Sequence, residues 1–214
     1  MYVGRIVSIG RNKEGKLCAM YRVSSRSFPN RMATENERGI AIVPKPGFEN
    51  DVFKNPYIAY NCLRLTGSFA VATNGSHTDP VTEKLEAGMN MRDALVNVLH
   101  GMDYEHDHLN TPRIAAIVDK ETNKGALGIV RIDGLHVKEF ELKEGEAYYV
   151  ATYEHDTPSI HYFDSAFEAS TSESACDYIL GKGKFADLER PVTAACAVET
   201  DSGFEVSFKD AATF

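Results

Sequence analysis

The chain has 214 residues, of which 43% are hydrophobic and 25% charged. That length and composition bury a core without disulfide or metal staples and exclude a disordered chain. Lys and Arg total 23 against 31 Asp and Glu, a net charge of −8, which excludes duplex nucleic acid as an expected partner but leaves room for a small anion at a local arginine cluster.

The first strand is expected over 2–9. The opening Met1-Tyr2-Val3-Gly4-Arg5-Ile6-Val7 lacks the charged-then-apolar layout of a secretory signal. No apolar run reaches the length of a bilayer span, so no membrane partner and a cytoplasmic address are expected. A turn at Asn12-Lys13-Glu14-Gly15-Lys16 leads to a second strand over 17–24. Its end enters the densest polar stretch of the chain, Tyr21-Arg22-Val23-Ser24-Ser25-Arg26-Ser27-Phe28-Pro29-Asn30-Arg31. Alternation sends Arg22 to the Cys18 and Met20 face, with Arg26 and Arg31 on the following loop. Guanidinium forks, serine hydroxyls and loop N–H groups suit a phosphate. A solvated loop with surface arginines fits the spacing equally well.

Strands over 39–43 and 57–65 follow. In Tyr57-Ile58-Ala59-Tyr60-Asn61-Cys62-Leu63-Arg64-Leu65, regular alternation puts Tyr60, Cys62 and Arg64 on one face and Asn61 on the other. An arginine on an apolar strand is costly unless it meets an anion; a solvated strand face is the alternative. A strand over 68–73 runs into Thr73-Asn74-Gly75-Ser76-His77-Thr78-Asp79, where N–H groups at a helix start attract anions, or where the chain simply turns and caps.

The helix is expected over 80–102, with Asp79 as N-cap and Pro80 at its first position. Met91, Leu95, Val98, Leu99 and Met102 form its apolar stripe, and Gly88 marks where it can divide. Next comes Asp103-Tyr104-Glu105-His106-Asp107-His108-Leu109-Asn110-Thr111-Pro112-Arg113. Adjacent ligands in one short stretch cannot all converge on a metal. One or two acid/base residues on a strand-leading loop are the better reading, with His106 and His108 solvated.

Strands are then expected over 113–119, 126–132, 135–142, 147–153 and 159–163, a helix over 165–180 stopped by Gly181, and strands over 192–199 and 203–208. Ile114-Ala115-Ala116-Ile117-Val118 and Ala194-Ala195-Cys196-Ala197-Val198 are apolar on both faces, as strands covered on both sides require. Tyr104-Glu105-His106-Asp107 recurs as Tyr153-Glu154-His155-Asp156, each followed by Thr-Pro. Cys18, Cys62, Cys176 and Cys196 form no Cys-x-x-Cys pair and read as small buried hydrophobes. Glycine-rich phosphate loops and the hydrolase nucleophile elbow are missing. The block order implies an α+β fold: two packed, mainly antiparallel sheets with helices outside, in a single domain over 1–214.

The run Tyr21–Arg31, with Tyr60-Asn61-Cys62-Leu63-Arg64, Asn74-Gly75-Ser76-His77, Tyr104-Glu105 and Asn110-Thr111-Pro112-Arg113, resembles the archaeal-type inosine monophosphate (IMP) cyclohydrolases over nearly the whole chain. The resemblance implies a four-layer αββα sandwich of the N-terminal-nucleophile (Ntn) hydrolase type. It implies ring closure of 5-formamidoimidazole-4-carboxamide ribonucleotide to IMP with loss of water, the last step of purine synthesis. Purine ribonucleotides are then the partners, in a homo-oligomer, with no metal and no cofactor required. Tyr60 is expected as proton donor or oxyanion contact, Asn61 as the grip on the carboxamide, and Glu105 as general base. Strict alternation sets Asn61 opposite Tyr60, so either the strand is irregular there or one of the two is structural. Arg26 and Arg31 are expected to anchor the phosphate, with Ser25, Asn30, Ser76 and His77 as further binding residues. Arg22 and Arg64 are left between phosphate and oxyanion. Hydrolases of the wider fold class expose Thr, Ser or Cys as first residue, whereas this sequence opens Met1-Tyr2. That argues against an amidohydrolase, the rival enzyme reading; a non-catalytic ribonucleotide-binding module is the other.

Overall fold

A computed structural model describes residues 1–212. One sheet has six strands and the other seven, and every neighbouring pair is antiparallel. In chain order the elements are β1 (Ile6–Arg11), β2 (Leu17–Ser24), β3 (Arg31–Asn36), β4 (Gly39–Pro44), α1 (Asp51–Lys54), β5 (Tyr60–Thr66), β6 (Phe69–Thr73), α2 (Thr78–Glu86), α3 (Met91–Met102), β7 (Arg113–Asp119), β8 (Lys124–Arg131), β9 (Gly134–Glu141), β10 (Glu146–Ala151), β11 (Phe163–Asp164), α4 (Ser172–Gly181), β12 (Pro191–Thr200) and β13 (Gly203–Asp210). The first sheet runs β11-β10-β1-β2-β12-β13 and the second β3-β4-β5-β6-β7-β8-β9.

Alternation along the central strands builds the layers. On β2, Leu17, Ala19, Tyr21 and Val23 enter the core between the sheets, while Cys18 and Met20 face α4. On β7, Ile114, Ala116 and Val118 enter the same core, while Ala115 and Ile117 lie under α2 and α3. Both strands are buried along their whole length, which explains why their sequences carry so few polar residues. The result is the expected α+β sandwich, layered α4, sheet, sheet, α2 with α3. All four cysteines are buried free thiols. Among the described residues no helix is long and apolar enough to cross a membrane.

Several boundaries differ from the sequence expectation. The helix expected over 80–102 divides at Gly88, whose φ of 86° ends α2. That first piece starts at Thr78 rather than Pro80. Residues 165–171 are not helical: α4 begins only where Thr171 and Ser174 form a reciprocal capping box. The strand expected over 159–163 shrinks to the two residues of β11. β3 was unforeseen, since Arg31-Met32-Ala33-Thr34-Glu35-Asn36 is a polar edge strand that buries little beyond Arg31 and Ala33.

Candidate active site

The starts of β1, β3, β5 and β7 and the ends of β2, β6 and β10 meet at one end of the sandwich. β2, β3 and β5, and the residue before β1, place a polar side chain on the face that lines the space between the sheets, and β7 adds an arginine at its first residue. Arg5 precedes β1, Tyr21 lies on β2, Arg31 and Tyr60 open β3 and β5, and Arg113 opens β7. Glu105 comes from the 103–112 segment, which is tied down locally. The Glu105 N–H donates to the Thr111 carbonyl at 2.8 Å, and the Thr111 N–H and hydroxyl donate to Asp107. Asp103 and Asn110 take positive φ of 57° and 48°, where short polar side chains are tolerated.

Glu105 is only 2% exposed. Its Oε2 lies 3.6 Å from Arg5 Nη2, and its Oε1 lies 3.9 Å from Arg113 Nη1. Burial nevertheless outweighs the two guanidinium groups and pushes its pKa up to about 7. Beside it the Tyr21 and Tyr60 hydroxyls share a 2.6 Å hydrogen bond. Burial raises the pKa of both phenols, against the opposing pull of Arg5 and Arg31. Both tyrosines therefore stay protonated donors at neutral pH.

His77 completes the group from the start of α2. Its ring is fully buried, with Nε2 2.9 Å from the Ile114 carbonyl oxygen. A carbonyl only accepts, so Nε2 carries the proton and Nδ1 presents a lone pair. Burial, reinforced by Arg113, lowers the pKa to about 3, so the ring is neutral. Asn74 fixes this corner by bonding the Pro112 carbonyl and the Ile114 N–H.

Six buried side-chain polar atoms among the described residues lack a hydrogen-bond partner in the protein, and five of them belong to Arg5, His77, Glu105 and Arg113. Buried polar groups are normally paired, so their concentration here marks the place where a polar ligand binds. Three guanidinium groups against one carboxyl leave a surplus of two positive charges when Glu105 is ionised, which suits an anion.

The structure brings Tyr60, Glu105, Arg31 and His77 together as the sequence suggested, and adds Tyr21, Arg5 and Arg113. Arg5 was read only as part of the N-terminal strand, and Arg113 only as the tail of a motif. The signal they shared is a lone arginine directly before an apolar β-run.

Other candidates go elsewhere. Arg22 lies on the opposite face of β2, fully buried against α4. Its guanidinium donates to the carbonyls of Ile179, Leu180, Phe185, Leu188 and Glu189, and Nε donates to Ser24. Asn61 and Arg64 also correct the alternation argument. A bulge shifts the β4–β5 register between Ile40 and Ala41, so that both Cys62 and Leu63 enter the core. Asn61 and Arg64 thereby share the outer face, where both donate to Asp79 at 3.0 Å. The Asn61 side-chain oxygen accepts from Asn36, so this amide is engaged on the outer face, away from Tyr60. The strand is irregular, and Tyr60 is the member that faces inward. Ser25 is buried and accepts from the Phe28 N–H, while Ser76 is exposed. Exposed Arg26 pairs with Glu189 and covers the Tyr2 ring. Ser25, Arg26 and Asn30 line a separate surface cleft, beside the 186–192 segment.

Fold and cluster together define the class: an α+β sandwich that closes a cationic, acid/base-bearing site between its two sheets. Comparison with known proteins supplies the family. The chain belongs to the IMP cyclohydrolase-like family, whose model matches residues 2–203. It is 44% identical over 210 residues to the IMP cyclohydrolase of Methanosphaera stadtmanae, covering 98% of this chain and all of that protein. It is 44% identical over 210 residues to that of Methanocaldococcus jannaschii, covering 98% and 99%. The figure for Methanocella arvoryzae is 46% over 207 residues, covering 96% of each chain.

Proposed function

We propose that the protein is an IMP cyclohydrolase that closes the ring of 5-formamidoimidazole-4-carboxamide ribonucleotide to IMP with loss of water. The observation that carries this reading is Glu105: a buried carboxyl with a pKa near 7, held between Arg5 and Arg113 beside a phenol pair, in a chain of this family. A pure binding site gains nothing from a carboxyl populated in both forms at neutral pH, whereas proton transfer does.

The substrate carries both reactants, so positioning supplies much of the acceleration, up to about 7–11 kcal/mol in favourable cases. The carboxamide nitrogen attacks the formyl carbon, and ionised Glu105 takes a proton from that nitrogen. The Tyr60 hydroxyl, held by Tyr21, donates to the formyl oxygen as charge develops there. The resulting carbinolamine then loses its hydroxyl with the proton returned by Glu105. Arg31 and Arg5 attract the phosphate. Ring closure needs no enzyme nucleophile and no redox partner.

Incubating the protein with the formamido ribotide and following IMP absorbance tests the reading. Tyr60→Phe is expected to lower kcat about a hundredfold and Glu105→Gln by about a hundredfold or more, with IMP affinity little changed. Full activity in both variants would remove these two residues from the chemistry, and no IMP from the wild type would remove the function.

A further inference from the structure

Gly75 sits between β6 and α2 with no backbone conformation that demands glycine. What it lacks is a side chain, and the place a side chain would take is ringed by the orphaned atoms. A Cβ there would lie 2.9 Å from Arg113 Nη1, 3.2 Å from His77 Nδ1 and 3.3 Å from Glu105 Oε1. These are three of the buried atoms without a partner in the protein. They converge from β7, from the start of α2 and from the 103–112 segment.

Their hydrogen-bonding capacities differ and together select a ligand. Arg113 Nη1 only donates. His77 Nδ1 only accepts, because its Nε2–H is committed to Ile114. Glu105 Oε1 accepts when the carboxyl is ionised. One atom that satisfies all three must donate twice and accept once. A carbonyl or phosphate oxygen cannot donate, an ammonium cannot accept, and an alkyl hydroxyl has one hydrogen. Water has two donors and two acceptors, and three polar partners are what a buried water normally holds.

We infer that Arg113, His77 and Glu105 form a water site beside Gly75, and that it holds the water molecule the ring closure releases. The second half of this statement rests on the cyclohydrolase reading; the first does not. When the carbinolamine collapses, its C–O bond breaks with the electron pair on oxygen, which takes the carboxyl proton of Glu105. The N–H electrons of the former formamide nitrogen become the C=N bond, and that proton passes to the Glu105 carboxylate. One water is lost, the proton left on Glu105 returns to Tyr60, which gave the carbinolamine hydroxyl its hydrogen, and the new water rests against His77 and Arg113. In the hydrolytic direction the same site presents water to the ring carbon with Glu105 as its base. Glycine at 75 is then a requirement of the chemistry rather than of the turn.

The first test is a crystal structure of the nucleotide-free wild type at a resolution that shows ordered water. A peak within hydrogen-bond reach of His77 Nδ1, Glu105 Oε1 and Arg113 Nη1 is expected. Clear density for the three side chains with no such peak overturns the site, whatever substrate the enzyme turns over. The second test is Gly75→Ala, whose methyl occupies the place. It is expected to lower kcat for IMP formation at least tenfold while IMP binds within about threefold of wild type. Wild-type kcat in this variant overturns the role in the reaction. Should the variant not fold, His77→Leu removes the acceptor alone, with the same two outcomes. A wild type that makes no IMP but shows the peak refutes the cyclohydrolase reading and leaves the water site standing.

Discussion

Glu105 shows how one residue sets a functional group against stability. Its pKa rises from 4.5 to about 7 because the fold buries it. Between those values the folded chain holds a proton that the unfolded chain has released, so stability falls as pH rises through this window and stays low above it. Two and a half pKa units correspond to a cost on the order of 3 kcal/mol at pH 8. Glutamine keeps the shape and removes the charge. Glu105→Gln is therefore expected to be more stable than wild type by about 2–3 kcal/mol at pH 8 and nearly equal at pH 4.5, measured by urea unfolding at both pH values. A difference independent of pH would show that the carboxyl is not destabilised by burial. His77 works in the opposite direction. Folding keeps it neutral down to about pH 3, so its contribution is complete above the unfolded value near 6.5 and is lost as pH falls below it. The sequence marked Glu105 as the general base and His77 as a binding residue. Their protonation states were not legible, because burial and the Ile114 carbonyl come from strands distant in sequence.

At the scale of elements, Arg22 and the β5 bulge explain where pattern reading stopped. The alternation of β2 correctly sent Arg22 to the Cys18 and Met20 face, but the sequence held no sign that this face is closed by a helix C-terminus. The last turn of α4 leaves carbonyls without N–H partners, as every helix does. Arg22 answers those of Ile179 and Leu180 and also the carbonyls of the following segment at Phe185, Leu188 and Glu189. The planar five-donor guanidinium fits this task as lysine would not. Replacing Arg22 by leucine strands several buried acceptors and is expected to cost about 2–4 kcal/mol in denaturant unfolding. IMP affinity of the folded protein should stay within roughly threefold of wild type. A large loss of affinity at unchanged stability would return Arg22 to the binding site. On β5 a single extra residue rotates Leu63 inward and Arg64 outward. Such a bulge leaves little trace in composition, whereas the bland apolar runs of β7 and β12 announced themselves and fixed the layer order.

The whole molecule carries a net charge of −8 yet gathers Arg5, Arg31 and Arg113 around one carboxyl. Acidic groups are spread over the surface, and many of the surface cations are paired with them, as Lys13 is with Glu168 and Arg26 with Glu189. The guanidinium groups between the sheets are different: Arg31 is 2% exposed and donates from Nε to the Phe28 carbonyl, not to a carboxylate. This contrast was not legible in the sequence, where Arg26 and Arg31 stand five residues apart in one motif and look equivalent. Only closure of the two sheets separates them, one into solvent and one into the interior. It also separates their energetics. An exposed charge already paired acts through water and salt, and contributes little to a ligand. A buried guanidinium facing a phosphate is unscreened and bonds in a fork. Arg31→Ala is therefore expected to weaken binding of the ribotide and of IMP by about a hundredfold, on the order of 3 kcal/mol. The same variant should lose competition by inorganic phosphate. Arg26→Ala should stay within about threefold of wild type in both measurements. Titration calorimetry of the two variants with IMP, repeated against a phosphate background, decides the matter. Equal losses at Arg26 and Arg31 would move the phosphate out to the loop and away from the sheet interior.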